Sequence, residues 1–400
     1  MSEPTFGRDD RWLLPDAVDE VLPPRAMALE RVRQRILDCY ERWGYEFVMP
    51  PAIEYLESLL TGAAHDLELQ TFKLTDQLSG RMMGVRADIT PQAARIDAHQ
   101  LRRECPVRLC YTGTVLQTRP EGLTGSRNPL QVGAELYGHA GVESDVEIIA
   151  LMLETLHIAG VEAPHLDLGH VGIFRGLTRQ AELPEEAETR LWEALQRKAD
   201  AEIRALVAEY EVAEPVAGML TRLAGLAGGV EVLNEANECL AEAAPDVHAA
   251  LRQLWSIASA LQRWLPRVPV HFDLGELRGY RYHTGVVFAA FVAGHSQEVA
   301  RGGRYDEIGR VFGRSRSATG FSADLKMLVS LAADEESGAR PAIGAPWRDS
   351  PALLARVAAL REAGERVIWL LPGHEEQAAV MGCDRTLVAD GNDWTVRPLD

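Results

Sequence analysis

Long apolar runs, paired cysteines and an excess of positive charge are all missing from this 400-residue chain, and each absence narrows its function. No apolar run reaches the ~18 residues that a membrane helix needs, so no membrane partner is expected. Met1 to Trp12 include acidic side chains and no apolar core, so no secretory leader is expected. The five cysteines (Cys39, Cys105, Cys110, Cys239 and Cys383) contain no C-x-x-C pair. An odd, scattered set suits buried, reduced thiols in the cytoplasm better than a disulfide framework or a zinc site, and no metal is expected. Acidic residues number 59 against 41 basic, a formal net charge of −18. A nucleic-acid backbone is gripped by clustered positive charge, so no nucleic-acid partner is expected. The imbalance continues at the C-terminus, where residues 331–400 hold 12 acidic and 7 basic side chains and no lysine.

What is present is ordinary in bulk. With 46% hydrophobic and 25% charged residues, the chain suits two or three domains with a large buried core. Residues 23–43 read as an amphipathic helix. Leu29, Val32, Ile36, Tyr40 and Trp43 recur at helical spacing, Pro23 and Pro24 stand at the start, and Gly44 ends it. A short strand, Tyr45 to Met49, is stopped by Pro50 and Pro51. Residues 81–138 carry strand-like runs punctuated by Gly and Pro, and 185–265, rich in Ala, Leu and Glu, read as helical. Strands return at Val268 to Leu274 and Gly285 to Val292, before a helix from Ala323 to Leu331. Strands, then helices, then strands indicate an α+β fold rather than a doubly wound sheet. Residues 334–350 read as a linker. Residues 351–400 read as a small α/β module: helix Ala352 to Glu362, strand Val367 to Leu371, a short helix Glu375 to Val380, and a strand at Thr386 to Val388.

Three segments hold the candidate chemistry: GVRADIT at 84–90, the run from Tyr111 to Gly138, and RGYRYHTG…GGRYD from Arg278 to Asp306. In order and spacing they resemble the class II histidyl-tRNA synthetases, over residues 10–330. The stretch helix, Gly44-Tyr45, strand, Pro50 is similar to motif 1, which in that family forms the dimer interface. The resemblance implies a class II synthetase-like antiparallel sheet flanked by helices over residues 1–333, with a helical insertion at about 185–265. It also implies a histidine site. A free amino acid needs oxygens for its ammonium, an arginine or backbone donors for its carboxylate, and an acidic or phenolic partner for an imidazole. By the resemblance, Asp88, Thr90 and Gln131 hold the ammonium, Glu135 accepts from the imidazole, and Gly133 leaves room. Strand alternation places Gln131, Gly133 and Glu135 on one face. Arg278 pairs with the carboxylate, and Tyr282, His283 and Tyr305 line the pocket. Departures are Asp88 for Glu, Arg281 for Asp, and His283 for a tyrosine that meets the imidazole in the family.

The nucleotide half does not follow the pattern. Motif 2 of the synthetases places an arginine and a glutamate where this chain has Gln117 and Arg119. Motif 3 places a glutamate and an arginine where it has Lys326 and Met327, and Asp324 replaces a glycine. A neutral Gln cannot make a bidentate, charge-assisted contact to phosphate. Losing one such donor to a transition state costs roughly 10²–10³ in rate. Amino-acid activation is therefore expected to be absent, with no catalytic residue and no cofactor.

Retained histidine contacts, lost ATP contacts and a short, acidic C-terminus together resemble the regulatory subunits of ATP phosphoribosyltransferase. That resemblance implies a non-catalytic cytoplasmic subunit that partners the short catalytic chain as a homodimer within a hetero-octamer. Such a subunit activates the first step of histidine biosynthesis and transmits feedback by L-histidine. The alternatives are a divergent histidyl-tRNA synthetase and a free-standing synthetase paralogue.

Overall fold

The computed structural model describes residues 12–60, 65–120, 125–280, 282–306, 313–332 and 340–399. Arg281, the replaced aspartate, lies outside them, as does part of the 334–350 stretch. Among the described residues, 12–20 and 29–332 form one compact unit, and 21–28 and 340–399 form a second.

The first unit is organised by helix α1 (Arg25–Arg42), which buries Leu29, Val32, Ile36 and Tyr40 in the main core. The three-to-four-residue spacing of these side chains makes one apolar stripe. Gly44, at φ +80, turns the chain out of the helix in a left-handed conformation that side chains disfavour. The strand after it is shorter than its sequence suggests, only β1 (Glu46–Phe47). A small sheet follows, β2 (Ile53–Tyr55), β3 (Phe72–Thr75) and β4 (Met82–Val85), in the order β2-β4-β3. Helices α2 (Leu56–Leu60) and α3 (His65–Gln70) connect its first two strands. Helix α4 (Thr90–Arg95) and a π-helical turn, Ile96–Leu101, then interrupt what the sequence reads as strand-like runs.

The central sheet begins with β5 (Val107–Thr114) and β6 (Leu130–Tyr137). After helix α5 (Val142–Ile158) it takes β7 (His165–His170), which leads directly into helix α6 (Val171–Gln180). The run 185–265 holds five helices: α7 (Glu185–Gln196), α8 (Asp200–Glu209), α9 (Val216–Leu223), α10 (Val232–Cys239) and α11 (Pro245–Trp264), with the two-residue strand β8 (Ala227–Gly228) among them. Strands β9 (Val270–Asp273), β10 (Val286–Phe291), β11 (Ala300–Arg304) and β12 (Ala318–Asp324) complete the sheet, and helix α12 (Leu325–Leu331) follows. The nine strands lie in the order β1-β5-β6-β12-β11-β10-β7-β9-β8. All neighbours are antiparallel except β1 with β5 and β7 with β9. Both faces of the sheet are covered, and β6 and β10 are buried almost throughout.

In the second unit, β13 (Ala342–Pro346) corrects the linker reading of 334–350. Ala342, Ile343 and Ala345 are fully buried, and the strand is parallel to both of its neighbours. Helix α13 (Pro351–Glu362) is capped by the Ser350 hydroxyl, which accepts from the Leu353 amide at 3.3 Å. Strands β14 (Val367–Leu370), β15 (Cys383–Asp390) and β16 (Asp393–Pro398) give the order β14-β13-β15-β16. The strand read at Thr386 to Val388 is thus one arm of a longer hairpin, and the short helix is a single 3₁₀ turn, Glu375–Gln377.

Candidate functional site

Strand β6 carries the centre of the site. Alternation turns Gln131, Gly133 and Glu135 to one face, opposite β5 and β12. Glu135 is buried (1% exposed), and its two oxygens accept from the hydroxyls of Tyr111, at 2.9 Å, and Tyr305. Burial disfavours the anion and pushes this carboxyl up to about 8, against the opposing pull of the two phenols. Tyr111 also meets the Thr90 hydroxyl at 3.0 Å. Two glycines make room for this cluster. A Cβ on Gly133 would stand 2.6 Å from the Tyr111 hydroxyl oxygen, and one on Gly320 of β12 would stand 1.6 Å from a Glu135 oxygen.

Asp88 and Gln131 form a second polar pair. Gln131 donates from Nε2 to Asp88 at 2.7 Å, and its Oε1 accepts from the Ile89 amide at 2.9 Å. Asp88 also accepts from the Thr90 amide at 3.0 Å. Gln131, expected to face a ligand ammonium, therefore also fixes the carboxylate beside it.

Arg278 is not idle. It pairs with Glu276 and with Glu298, each at 3.2 Å, and lies over the Phe291 ring at 5.1 Å. A ligand carboxylate would have to join or displace these partners. Tyr282 stacks on Tyr305 with ring centroids 5.0 Å apart. Its hydroxyl is shut off from solvent and has no hydrogen-bond partner among the described residues. His283 lies edge-on to Tyr282, and burial lowers its pKa to about 4, leaving the ring neutral. Its Nδ1 is 3.3 Å from the Arg278 carbonyl. A carbonyl only accepts, so in that contact Nδ1 holds the proton and Nε2 is left as an acceptor.

These residues line one cavity of about 500 Å³, which includes Asp88, Thr90, Glu135, Arg278, Tyr282, His283, Tyr305 and Gly320. That volume suits a whole small-molecule ligand. Gln131 and Gly133 do not border it. Gln131 borders a second cavity of about 320 Å³, which shares Leu67, Gln70, Asp88, Arg301 and Ser322 with the first. Gln117, Asp324 and Met327 line this second cavity, whereas Arg119 is exposed and Lys326 turns to Asp19 at 3.2 Å; neither borders it. Its charged lining among the described residues is Arg301 against Asp88, Glu298 and Asp324.

Sequence reasoning missed several residues of the larger cavity. Trp192 and Gln196 come from α7, more than 50 residues from any motif; Asp167 comes from β7, and Glu276 sits two residues before Arg278. Tyr111 stands in the sequence only at the start of the second segment; the pairing of β5 with β6 sets it opposite Gly133, with its hydroxyl on Glu135. Among the described residues no group of three His, Cys, Asp or Glu could hold a metal, and no helix is long and apolar enough to cross a membrane.

Two family models match the chain: histidyl-tRNA synthetase over residues 17–328, and the ATP phosphoribosyltransferase subunit HisZ C-terminal domain over 340–397. The ATP phosphoribosyltransferase regulatory subunit of Alkalilimnicola ehrlichii is 60% identical, covering 100% of both chains. That of Thioalkalivibrio sulfidiphilus is 58% identical over 98% of this chain and 99% of its own. Among solved structures, an ATP phosphoribosyltransferase regulatory subunit/histidyl-tRNA synthetase from Bacillus halodurans superposes with a TM-score of 0.84 at 26% identity, covering 96% of this chain and 99% of that one. Histidyl-tRNA synthetase from Nostoc sp. gives 0.77 at 19% identity, covering 97% and 94%, a likeness of fold alone. The fold is thus that of the class II synthetase catalytic domain, with a helical insertion and a small C-terminal α/β module. The chain belongs to the family of ATP phosphoribosyltransferase regulatory subunits.

Proposed function

We propose that this chain is a non-catalytic regulatory subunit that activates the short catalytic subunit of ATP phosphoribosyltransferase and carries feedback inhibition by L-histidine in histidine biosynthesis. One observation carries the reading: the two adjoining cavities have diverged. The larger keeps a preorganised set for an imidazole amino acid. Asp88 and Thr90 stand ready for the ammonium, Glu135 and Tyr282 for the imidazole, and Arg278 for the carboxylate. The smaller presents, among the described residues, three carboxylates against one arginine, where a triphosphate would need several cations. Such a chain binds the amino acid and does not activate it. The unpartnered Tyr282 hydroxyl supports a ligand at this position, since a buried polar group without a partner costs about 1–3 kcal/mol.

The expected assembly is a homodimer of this chain within a cytoplasmic hetero-octamer. Feedback then requires histidine to bind the inactive arrangement more tightly than the active one, by the ~1–3 kcal/mol typical of allosteric coupling. The test is phosphoribosyl-ATP formation by the catalytic subunit with and without this chain, across a histidine titration. Activation reversed by histidine supports the reading, and histidine-dependent exchange of pyrophosphate into ATP by this chain alone would replace it with a synthetase. Neither activation nor complex formation would leave the free-standing paralogue.

A further inference from the structure

The five helices between residues 185 and 265 carry no motif, yet one of them borders the ligand cavity. Trp192 and Gln196 of α7 both face it, one helical turn apart. Trp192 donates its indole N–H to the Leu277 carbonyl at 3.3 Å. Leu277 is followed by Arg278, so this bond ties α7 to the backbone from which the carboxylate partner projects.

The same loop is held from behind through Tyr280. Trp192 stacks on its ring at 6.4 Å and Phe174 meets it edge-on at 5.4 Å. Arg175 of α6 lies over its face at 4.8 Å, and the Tyr280 hydroxyl donates to Glu188 of α7. Arg175 also donates to the carbonyls of Tyr280, at 2.8 Å, and His283, at 3.2 Å. Arg278, Tyr282 and His283 therefore project from a loop that is tied to α6 and α7 at Leu277, Tyr280 and His283. The cavity, at about 500 Å³, is larger than a single amino acid fills, so its walls decide which longer ligands enter.

We infer that α7 is a specificity wall of the amino-acid cavity: Trp192 limits how far a ligand extends past its carboxylate, Gln196 supplies a hydrogen bond at that end, and Tyr280 is a positioning residue that holds Arg278. The ligand class is a free α-amino acid bearing an imidazole, with C-terminally extended forms excluded by the indole. The inference rests on the histidine reading above and adds to it a selection step made by the helical segment.

The test is calorimetric titration of the full chain, alone and bound to the catalytic subunit, with histidine and with the dipeptide histidyl-glycine. Gln196→Leu, at a solvent-facing position, should leave the melting temperature unchanged and weaken histidine about 10-fold. Trp192→Ala should shift the histidine to histidyl-glycine affinity ratio about 10-fold toward the dipeptide, a change that general loosening of the fold would not produce. Tyr280→Phe, which keeps the ring and removes the bond to Glu188, should weaken histidine more than an imidazole amine that has no carboxylate. Histidine bound by the wild type, with affinity and ratio unchanged within twofold in Gln196→Leu and Trp192→Ala, overturns the wall and leaves the histidine reading standing. No histidine bound by the wild type in either state overturns both.

Discussion

The two adjoining cavities share five residues and differ in how their polar groups are held. In the larger, polar groups are kept under conditions that favour their removal. The Glu135 carboxyl is buried, and the Tyr282 hydroxyl has no partner among the described residues. In the smaller, the replaced side chains have been taken up by the structure. Asp324 caps α12 by accepting from the Lys326 amide at 3.0 Å and also accepts from the Leu130 amide at 3.0 Å. Lys326 reaches Asp19, whose carboxylate also accepts from Ser126 at 2.8 Å. Gln117 holds its loop through its backbone, donating to the Arg127 carbonyl at 2.8 Å. On the function proposed above, unfavourable groups persist where they serve a ligand, and positions without a ligand settle into satisfied contacts. The difference predicts large effects from substitutions in the first cavity and small ones in the second.

The largest effect is expected at Gly320. A methyl group there would overlap the Glu135 carboxylate and stand 2.9 Å from the Ala134 carbonyl, so the strand or the carboxylate must move. Gly320→Ala should lower stability by about 1–3 kcal/mol in a denaturant titration. It should also abolish measurable histidine binding in calorimetry, and wild-type affinity in this variant would break the comparison at its centre.

Glu135→Gln comes next, and it separates ligand chemistry from stability. The buried carboxyl titrates near 8 in the fold against 4.5 when exposed, so between those values the folded chain keeps a proton that the unfolded chain has released. The contribution of Glu135 to stability therefore falls as pH rises from about 4.5 to about 8 and is level beyond. The amide removes this titration. The variant should gain on the wild type in melting temperature progressively from pH 5 to 8 and hold the gain above, while histidine affinity measured at pH 9, where the wild-type carboxyl is ionised, drops about 10–100-fold with the loss of a charged acceptor. A gap in melting temperature that is flat with pH would show that Glu135 is already ionised in the fold.

How much of this was legible in the sequence follows the same division. The retained motifs point to Asp88, Thr90, Glu135, Arg278, Tyr282, His283 and Tyr305, and the larger cavity gathers all seven. They could be read because the motifs fix their order and spacing, although strand alternation sets the face of Glu135 alone: Thr90 opens α4, and Arg278, Tyr282 and His283 sit between β9 and β10. The helical insertion could be read as helix from composition, but not as a cavity wall: Trp192 meets Arg278's loop through tertiary packing that no local pattern encodes. Gln131 shows the opposite limit, since its position was legible and its bonds to Asp88 and Ile89 were not. In the second unit, Ala342 to Pro346 carries the Pro and Gly of a linker, yet burial between two parallel neighbours makes it a strand. Tertiary context decides short apolar stretches of that kind.

The smaller cavity supplies the weaker predictions. Gln117→Ala keeps the backbone bonds that hold its loop and removes only a side chain lining that cavity. It should shift histidine affinity by less than about twofold and stability by under ~1.5 kcal/mol. Lys326→Ala should do less still. Its Nζ is 3.2 Å from Asp19, whose side chain is half exposed, and such pairs contribute about 0–1 kcal/mol because solvent screens the attraction and ordering two side chains opposes it. The cap on α12 survives, because Asp324 bonds the backbone amide of residue 326, which alanine retains. Whatever loss appears should therefore fade in 1 M salt, where the screening length falls to about 3 Å. A loss above ~2 kcal/mol that salt does not reduce would mean that Lys326 supports the smaller cavity through more than the ion pair, and that this half of the site has kept a function of its own.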